Sequence, residues 1–412
     1  MSDLIQTPKL RWPLNVQRHT ISEKQFVVIE CPLGLLLKPL ILESAWLPVL
    51  AALEGGRSIS ELATQFLSHG ADEKLIREFV QLLDNNFLLD NTRFQSAREQ
   101  LVQEFADSPV RPSALAGRVY SQQPAELTQE IEQYLKQGLR PSLDEDSLVG
   151  LISPHIDYRR GGSTYGRAYA SLTSGTADRY IVIGTSHQYS TGMFHLLKKD
   201  FQIPLGTLKC DRELVESLAL RYGSERSFRD QYLHKKEHSL ELQLPFLIYA
   251  QQSAKIVPIL VGSFHHSVEK QRSPRDDNEY SDFADALSET IKSASDSGLS
   301  VAFIAGVDMA HVGKQFGDSF ELTTDILEGI RERDNQYLRA VCSGDPEILF
   351  QHIAEDGDQR RMCGFPTLYT ILDVTRRLGW KVNTEIIDYQ QAVDVNAGCC
   401  VTFAAAAMRS QA

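Results

Sequence analysis

Apolar and polar positions divide the chain into stretches of different texture. Over the first ninety or so residues the apolar runs are short. Gln25 to Ile29 is apolar and β-branched, which predicts a strand, and Gly34 to Leu37 is a second short apolar run. Ala45 to Leu53 predicts a helix that stops at Gly55-Gly56, where chain reversal is cheap. Ser58 and Glu61 make the S-x-x-E pattern of a capping box, so a second helix starts there and runs to about Ser68. Asp72 to Asn85 places Leu75, Ile76, Phe79, Val80 and Leu83 on one face of a third helix. Phe87-Leu88-Leu89 predicts a short strand. Strands, helix-turn-helix and a strand define a winged-helix-like small domain over residues 1–92.

Residues 93–147 read as a helical connector. Phe94 to Ala106 and Gln123 to Gln137 predict helices, and Pro109 and Pro112 break the chain between them. The polar, turn-like run Arg140 to Asp146 marks the domain boundary. From Leu148 strands alternate with helices. Leu148–Ile152, Arg179–Ile183, Lys255–Val261, Ser300–Ala305, Thr384–Asp388 and Cys399–Ala406 predict strands. Ser163–Thr173, Arg212–Tyr222, Ser239–Tyr249, Asp282–Ser293, Glu321–Val341, Pro346–Ala354 and Pro366–Leu378 predict helices. Such alternation implies a three-layer α/β domain over residues 148–412, with a central sheet covered on both faces.

Charge and composition narrow the class. The 412 residues are 42% hydrophobic and 23% charged, with a formal net charge of −12. A broad nucleic-acid footprint needs the opposite charge balance. The third helix repeats the point, carrying Asp72, Glu73, Glu78 and Asp84 against Lys74 and Arg77. No apolar run approaches the roughly 18 residues that span a bilayer, and the first residues lack the pattern of a signal peptide. Six scattered cysteines without a C-x-x-C pair read as free thiols in a cytoplasmic protein.

Candidate chemistry gathers just after the predicted strands. One strand runs into Ser153-Pro154-His155-Ile156-Asp157-Tyr158, a second into Gly184-Thr185-Ser186-His187, a third into Gly306-Val307-Asp308-Met309-Ala310-His311. Ligands in open α/β sheets bind beyond the carboxyl ends of the strands. A lone histidine there is more often a structural group; three strand ends with histidine form a pattern. Glu237-His238-Ser239 opens a helix, where His238 serves either the pocket or the helix start. Cys363, in Arg361-Met362-Cys363-Gly364-Phe365-Pro366, precedes another helix, a position that favours the thiolate. Asp157 either orients a neighbouring histidine or pairs with Arg159 or Arg160. His265-His266 and the loop after it read as surface.

The motifs SPHIDY, IVIGTSH, EHSLELQLPF, VPILVG, VDMAH and CGFPT occur in the order and spacing of the Memo family. Over about residues 148–408 the chain resembles that family, which is similar to the class III extradiol dioxygenases with their non-haem iron. The resemblance implies metal ligands at His155, His187 and Cys363, an acid/base His311 with Asp308 beside it, and His238 lining the same pocket. Two imidazoles and a thiolate suit Fe(II) first, then copper or zinc. PHIDY and GVD depart from the family's usual PHAGY and SSD. Residues 15–92, with LEGGRSISELATQFLSHGADEKLIREFVQLLDNNFLLD, resemble PqqD-like peptide-chaperone domains, which implies binding of an extended peptide by strand addition; a dimerisation or packing module is the alternative. Together these resemblances imply a metal-dependent oxidoreductase, dioxygenase-like, acting on a peptide that the N-terminal domain holds. The alternative is a metal- or peptide-binding adaptor without turnover.

Overall fold

The structure is a computed structural model that describes residues 5–36, 38–138, 148–173 and 177–410. It divides into two compact units, Met1–Asp107 and Ser108–Ala412.

The smaller unit begins with an antiparallel sheet of β1 (Asn15–Ile21), β2 (Lys24–Glu30) and β3 (Leu40–Glu43), in that order. Helices α1 (Leu47–Ala52), α2 (Ile59–Phe66), α3 (Glu73–Asn85) and α4 (Thr92–Asp107) follow. The capping box forms: Glu61 N–H donates to Ser58 Oγ at 3.3 Å, and Ser58 N–H donates to Glu61 at 2.7 Å. Val27, Ile29 and Leu42 pack with Leu62, Ile76, Phe79, Val80 and Leu83 in one core. Leu75, expected on the packed face of α3, is exposed. The strand expected at Phe87–Leu89 is a single bridge between Leu10 and Leu89. Phe87 takes a positive φ of 55°. The amides of Phe87 and Leu88 donate to Asp84 and Leu83 carbonyls, closing the end of α3 instead of joining a ladder.

The larger unit takes in residues expected to form a connector. β4 (Val110–Pro112) pairs in parallel with β8 (Asp200–Ile203), and α5 (Pro124–Lys136) packs on α6 (Tyr158–Ala170). The compact units therefore part between Asp107 and Ser108, and the expected connector 93–147 is shared between them. The turn-like run 140–146 lies outside the described residues.

Among the described residues the main sheet holds eleven strands. Besides β4 and β8 they are β5 (Leu148–Ser153), β6 (Arg179–Thr185), β7 (Phe194–Leu196), β9 (Gly206–Cys210), β10 (Lys255–Val261), β11 (Val301–Gly306), β12 (His311–Gly313), β13 (Val382–Asp394) and β14 (Cys399–Ser410). The order is β12-β14-β5-β11-β6-β10-β9-β8-β4, with β13 beside β14 and β7 beside β10. β5, β11, β6 and β10 are parallel neighbours, and β14 runs antiparallel to β5. These parallel strands are apolar nearly throughout, as burial on both faces requires. The outcome is the expected three-layer α/β architecture.

Late strands are longer than their apolar cores suggest, because β13 and β14 form a long antiparallel pair that extends past the apolar residues. Cys399 and Cys400 are buried at its start. The helix expected at Ser239–Tyr249 is two helices, His238–Glu241 and Leu244–Ala250, with Pro245 in the first turn of the second, where its missing N–H costs nothing. The loop expected after His266 contains a helix from Asn278.

Candidate metal centre

Adjacent parallel strands bring the site together. β5, β11 and β6 end side by side in Ser153, Gly306 and Thr185, and the three histidine-bearing segments leave from one rim. The short helix His238–Glu241 lies across that rim. Glycine permits this approach: a Cβ at Gly306 would stand 2.2 Å from the Ser239 carbonyl, and one at Gly184 2.4 Å from Ser239 Oγ. Ser239 Oγ donates to the Thr185 carbonyl at 2.9 Å, and Gln243 Nε2 donates to the Pro154 carbonyl at 2.7 Å. The helix is thus stitched to two strand ends.

His155, His187 and His238 converge, each offering one ligand nitrogen, and those atoms lie within 4.8 Å of one another. Ring centroids stand 4.4 Å apart for His187 and His238, and 4.9 and 5.0 Å from His155 to each. Every ring is oriented from behind. His155 Nδ1 sits 2.9 Å from the Gly306 carbonyl, an acceptor only, so Nδ1 carries the proton and Nε2 keeps its lone pair. Glu237 serves the other two. Its carboxylate accepts from His187 Nδ1 at 3.0 Å, lies 3.1 Å from His238 Nδ1, and accepts the backbone N–H groups of His187, His238 and Ser239. A carboxylate behind a ligating imidazole fixes its tautomer and raises its basicity. Burial works against the charge of Glu237, yet His187 and His238 hold its carboxyl well below the usual range.

Cys363 adjoins the cluster, its sulfur 3.3 Å from His155 Nε2. Burial, with Asp308 and Asp358 nearby, pushes its thiol well above the ordinary value. Burial thus works against the thiolate expected from its place before the helix Phe365–Arg377. Burial and the neighbouring imidazoles also push His155 well below its usual value. A neutral thiol facing a neutral imidazole matches the 3.3 Å contact. A metal ion entering here would displace that proton.

Asp308 is buried and accepts the backbone N–H groups of His155 at 2.9 Å and Ile156 at 3.2 Å. Burial raises its carboxyl to about 6. His311 Nδ1 faces the carbonyls of Met309 and Arg361 at 3.1 and 3.2 Å, and among the described residues Nε2 has no hydrogen-bond partner. Burial and the charges of His187 and His238 lower it to about 4. The loop that delivers Cys363 is held in left-handed backbone at Asp358 and Arg361, and Arg361 is pinned by Asp318. A cleft of about 210 Å³ reaches Cys363, lined on its apolar side by Phe264, Val268, Met362 and Phe365.

All six expected site residues therefore sit at this rim, with a changed grouping. His238, expected to line the pocket, joins His155 and His187 as the geometric triad; Cys363 flanks it. Asp157 takes the structural alternative: it caps α6 and its carboxylate accepts from Arg160 Nε at 2.6 Å. His265 lies on an exposed helix turn beside Glu269. Glu237 went unassigned in the sequence, although its place between Lys236 and His238 in an E-H-S triplet was the available signal.

Fold and site define a three-layer α/β protein with a histidine cluster at the carboxyl ends of its parallel strands, able to hold a transition metal. A family model described as Memo-like protein matches residues 111–408, and the chain belongs to that family. It is 26% identical over 365 residues to a MEMO1 family protein of Aquifex aeolicus, covering 88% of this chain and 90% of that one. A MEMO1 family protein of Thermus thermophilus is 26% identical over 343 residues, 81% of this chain and 95% of its own. One from Methanosarcina barkeri is 27% identical over 288 residues, 70% and 94% respectively. The Aquifex match is longer than residues 108–412 and so reaches into the smaller unit. Among the described residues no helix is long and apolar enough to cross a membrane.

Proposed function

We propose that the protein is a metal-dependent oxidoreductase whose His155, His187 and His238, with Cys363 alongside, hold a redox metal, iron ahead of copper. One observation carries this reading: two imidazoles from separate strand ends and a third from the short helix across them meet with ring nitrogens within 4.8 Å, each anchored from behind. The donor set fits the group. Imidazole with a neighbouring sulfur suits iron, copper or zinc and disfavours magnesium. When bound, such a metal supplies electron-transfer chemistry and open coordination positions. The chain's own groups do the rest. His311, neutral near pH 7 with Nε2 unengaged, accepts a proton from a bound substrate. Asp308 fixes the backbone of the His155 loop. Phe264, Met362 and Phe365 give the cleft that reaches Cys363 an apolar wall.

The substrate we propose is an extended peptide segment, delivered by the smaller unit. Among the described residues β1 and β3 each pair only with β2, which leaves two sheet edges for strand addition. The likeness of the Memo fold to extradiol dioxygenases supports oxidation as the reaction class.

Anaerobic reconstitution with Fe(II) tests the site. The full chain is expected to bind metal stoichiometrically, and His187→Ala and His238→Ala to lose it. Metal content unchanged in both variants would falsify the site. Cys363→Ala decides whether sulfur is a ligand. Admission of O₂ then separates two readings: consumption or metal oxidation supports the enzyme, and a stable inert complex supports a metal-binding adaptor.

A further inference from the structure

The helix that carries His238 is held in turn by a buried ion pair outside the cluster. Arg111 is 1% exposed and Glu241 fully buried, and Arg111 Nη1 donates to Glu241 Oε2. The remaining guanidinium donors go to backbone carbonyls. Nε donates to His234 at 3.0 Å, Nη2 to Glu237 at 3.0 Å and Nη1 to Pro112 at 3.3 Å. Glu241 accepts from the backbone N–H groups of Ala114 and Leu115 and from Tyr120 Oη at 2.6 Å. Phe201 lies against the guanidinium at 5.3 Å. The planar fork thus grips two carbonyls and a carboxylate of one short segment, 234–241.

That segment contains Glu237 and His238. The carbonyl that Arg111 holds and the N–H of His238 are the two ends of one peptide plane, and that N–H donates to the Glu237 carboxylate. Rotation of this plane would withdraw that N–H from the carboxylate that orients His187 and His238. We propose that Arg111 is a positioning residue of the metal centre, acting through Glu237 to set the tautomer and direction of two of the three imidazoles. The inference rests on the metal-site reading above. A lysine cannot replace it, because one ammonium on a flexible stem does not reproduce a rigid fork across three acceptors.

Co(II) titration of the full chain, followed by visible spectroscopy, gives both an affinity and a ligand-field spectrum. Arg111→Met and Arg111→Lys are expected to weaken Co(II) binding roughly 10- to 100-fold, the usual effect of losing a ligand's orienting partner, and to shift the bands. A folded variant of either kind with wild-type affinity and spectrum, merely melting at a lower temperature, overturns the proposal and leaves Arg111 a structural residue. Should Arg111→Met fail to fold, Arg111→Lys carries the test alone. His187→Ala and His238→Ala run in parallel. Loss of Co(II) in these but not in the Arg111 variants refutes positioning while keeping the site; retention in them refutes the site itself.

Discussion

At the residue scale, small side chains matter as much as reactive ones. Gly306 stands where the family's usual motif has serine, and its missing Cβ leaves space for the Ser239 carbonyl. Gly306→Ala is expected to destabilise the larger unit by about 1–3 kcal/mol, the cost of overpacking a tight contact. Urea unfolding measures it, and an unchanged midpoint would show that the helix His238–Glu241 can shift freely. Asp157 gives the opposite case. Its charge lies close to His155 in sequence, but its bonds go to Arg160 and the first turn of α6. Asp157→Ala should therefore lose about 1 kcal/mol through the missing cap and keep its full metal content. A fall in metal content at unchanged stability would assign it an orienting role instead.

At the element scale, the chain was most legible where local rules suffice. The capping box at Ser58 and Glu61 and the helix Arg212–Tyr222 form as read, and the strand read at Arg179–Ile183 forms and runs on to Thr185. β4 was not legible, because two prolines and an arginine look like a connector. Val110–Pro112 becomes a strand only because β8 offers it a parallel edge. Phe87–Leu89 is the reverse: an apolar triplet with strand composition whose amides are spent closing α3. The extent of the larger unit follows from these elements. Residues 108–412 expressed alone are expected to unfold cooperatively and to bind metal. A chain begun at residue 148 loses Arg111, Tyr120 and α5 and strands the Glu241 carboxylate in the interior. The broken buried pair alone costs about 3–5 kcal/mol, so circular dichroism should show no cooperative transition. A well-folded 148–412 fragment would contradict this division.

At the scale of the whole molecule, buried imidazoles tie stability to pH. His234 is buried; Nε2 donates to the His195 carbonyl at 3.0 Å, and Nδ1 has no partner among the described residues. Burial lowers its pKa from the usual 6.5 to about 3. The unfolded chain therefore binds a proton more readily than the folded one between these values. The stability this group contributes is complete above pH 6.5 and is lost as pH falls from there toward 3. Urea midpoints measured at pH 7, 5.5 and 4 should decline in that order. His234→Gln is expected to flatten the decline, and an equally steep profile would locate the linkage elsewhere.

The sequence alone determined the alternation of strands and helices, the three-layer class and which residues stand at strand ends. Those are matters of local spacing and of side-chain periodicity. Tertiary structure decided which strand ends are neighbours. The order β5-β11-β6 is a choice among hydrogen-bonding partners far apart in the chain; it brought His155 and His187 together, and the bonds of Ser239 and Gln243 to those strand ends added His238. It also decided protonation. Cys363 reads as thiolate from its place before a helix, whereas burial beside Asp308 makes it a thiol. Desolvation depends on what surrounds a group in three dimensions, which no single segment of sequence records.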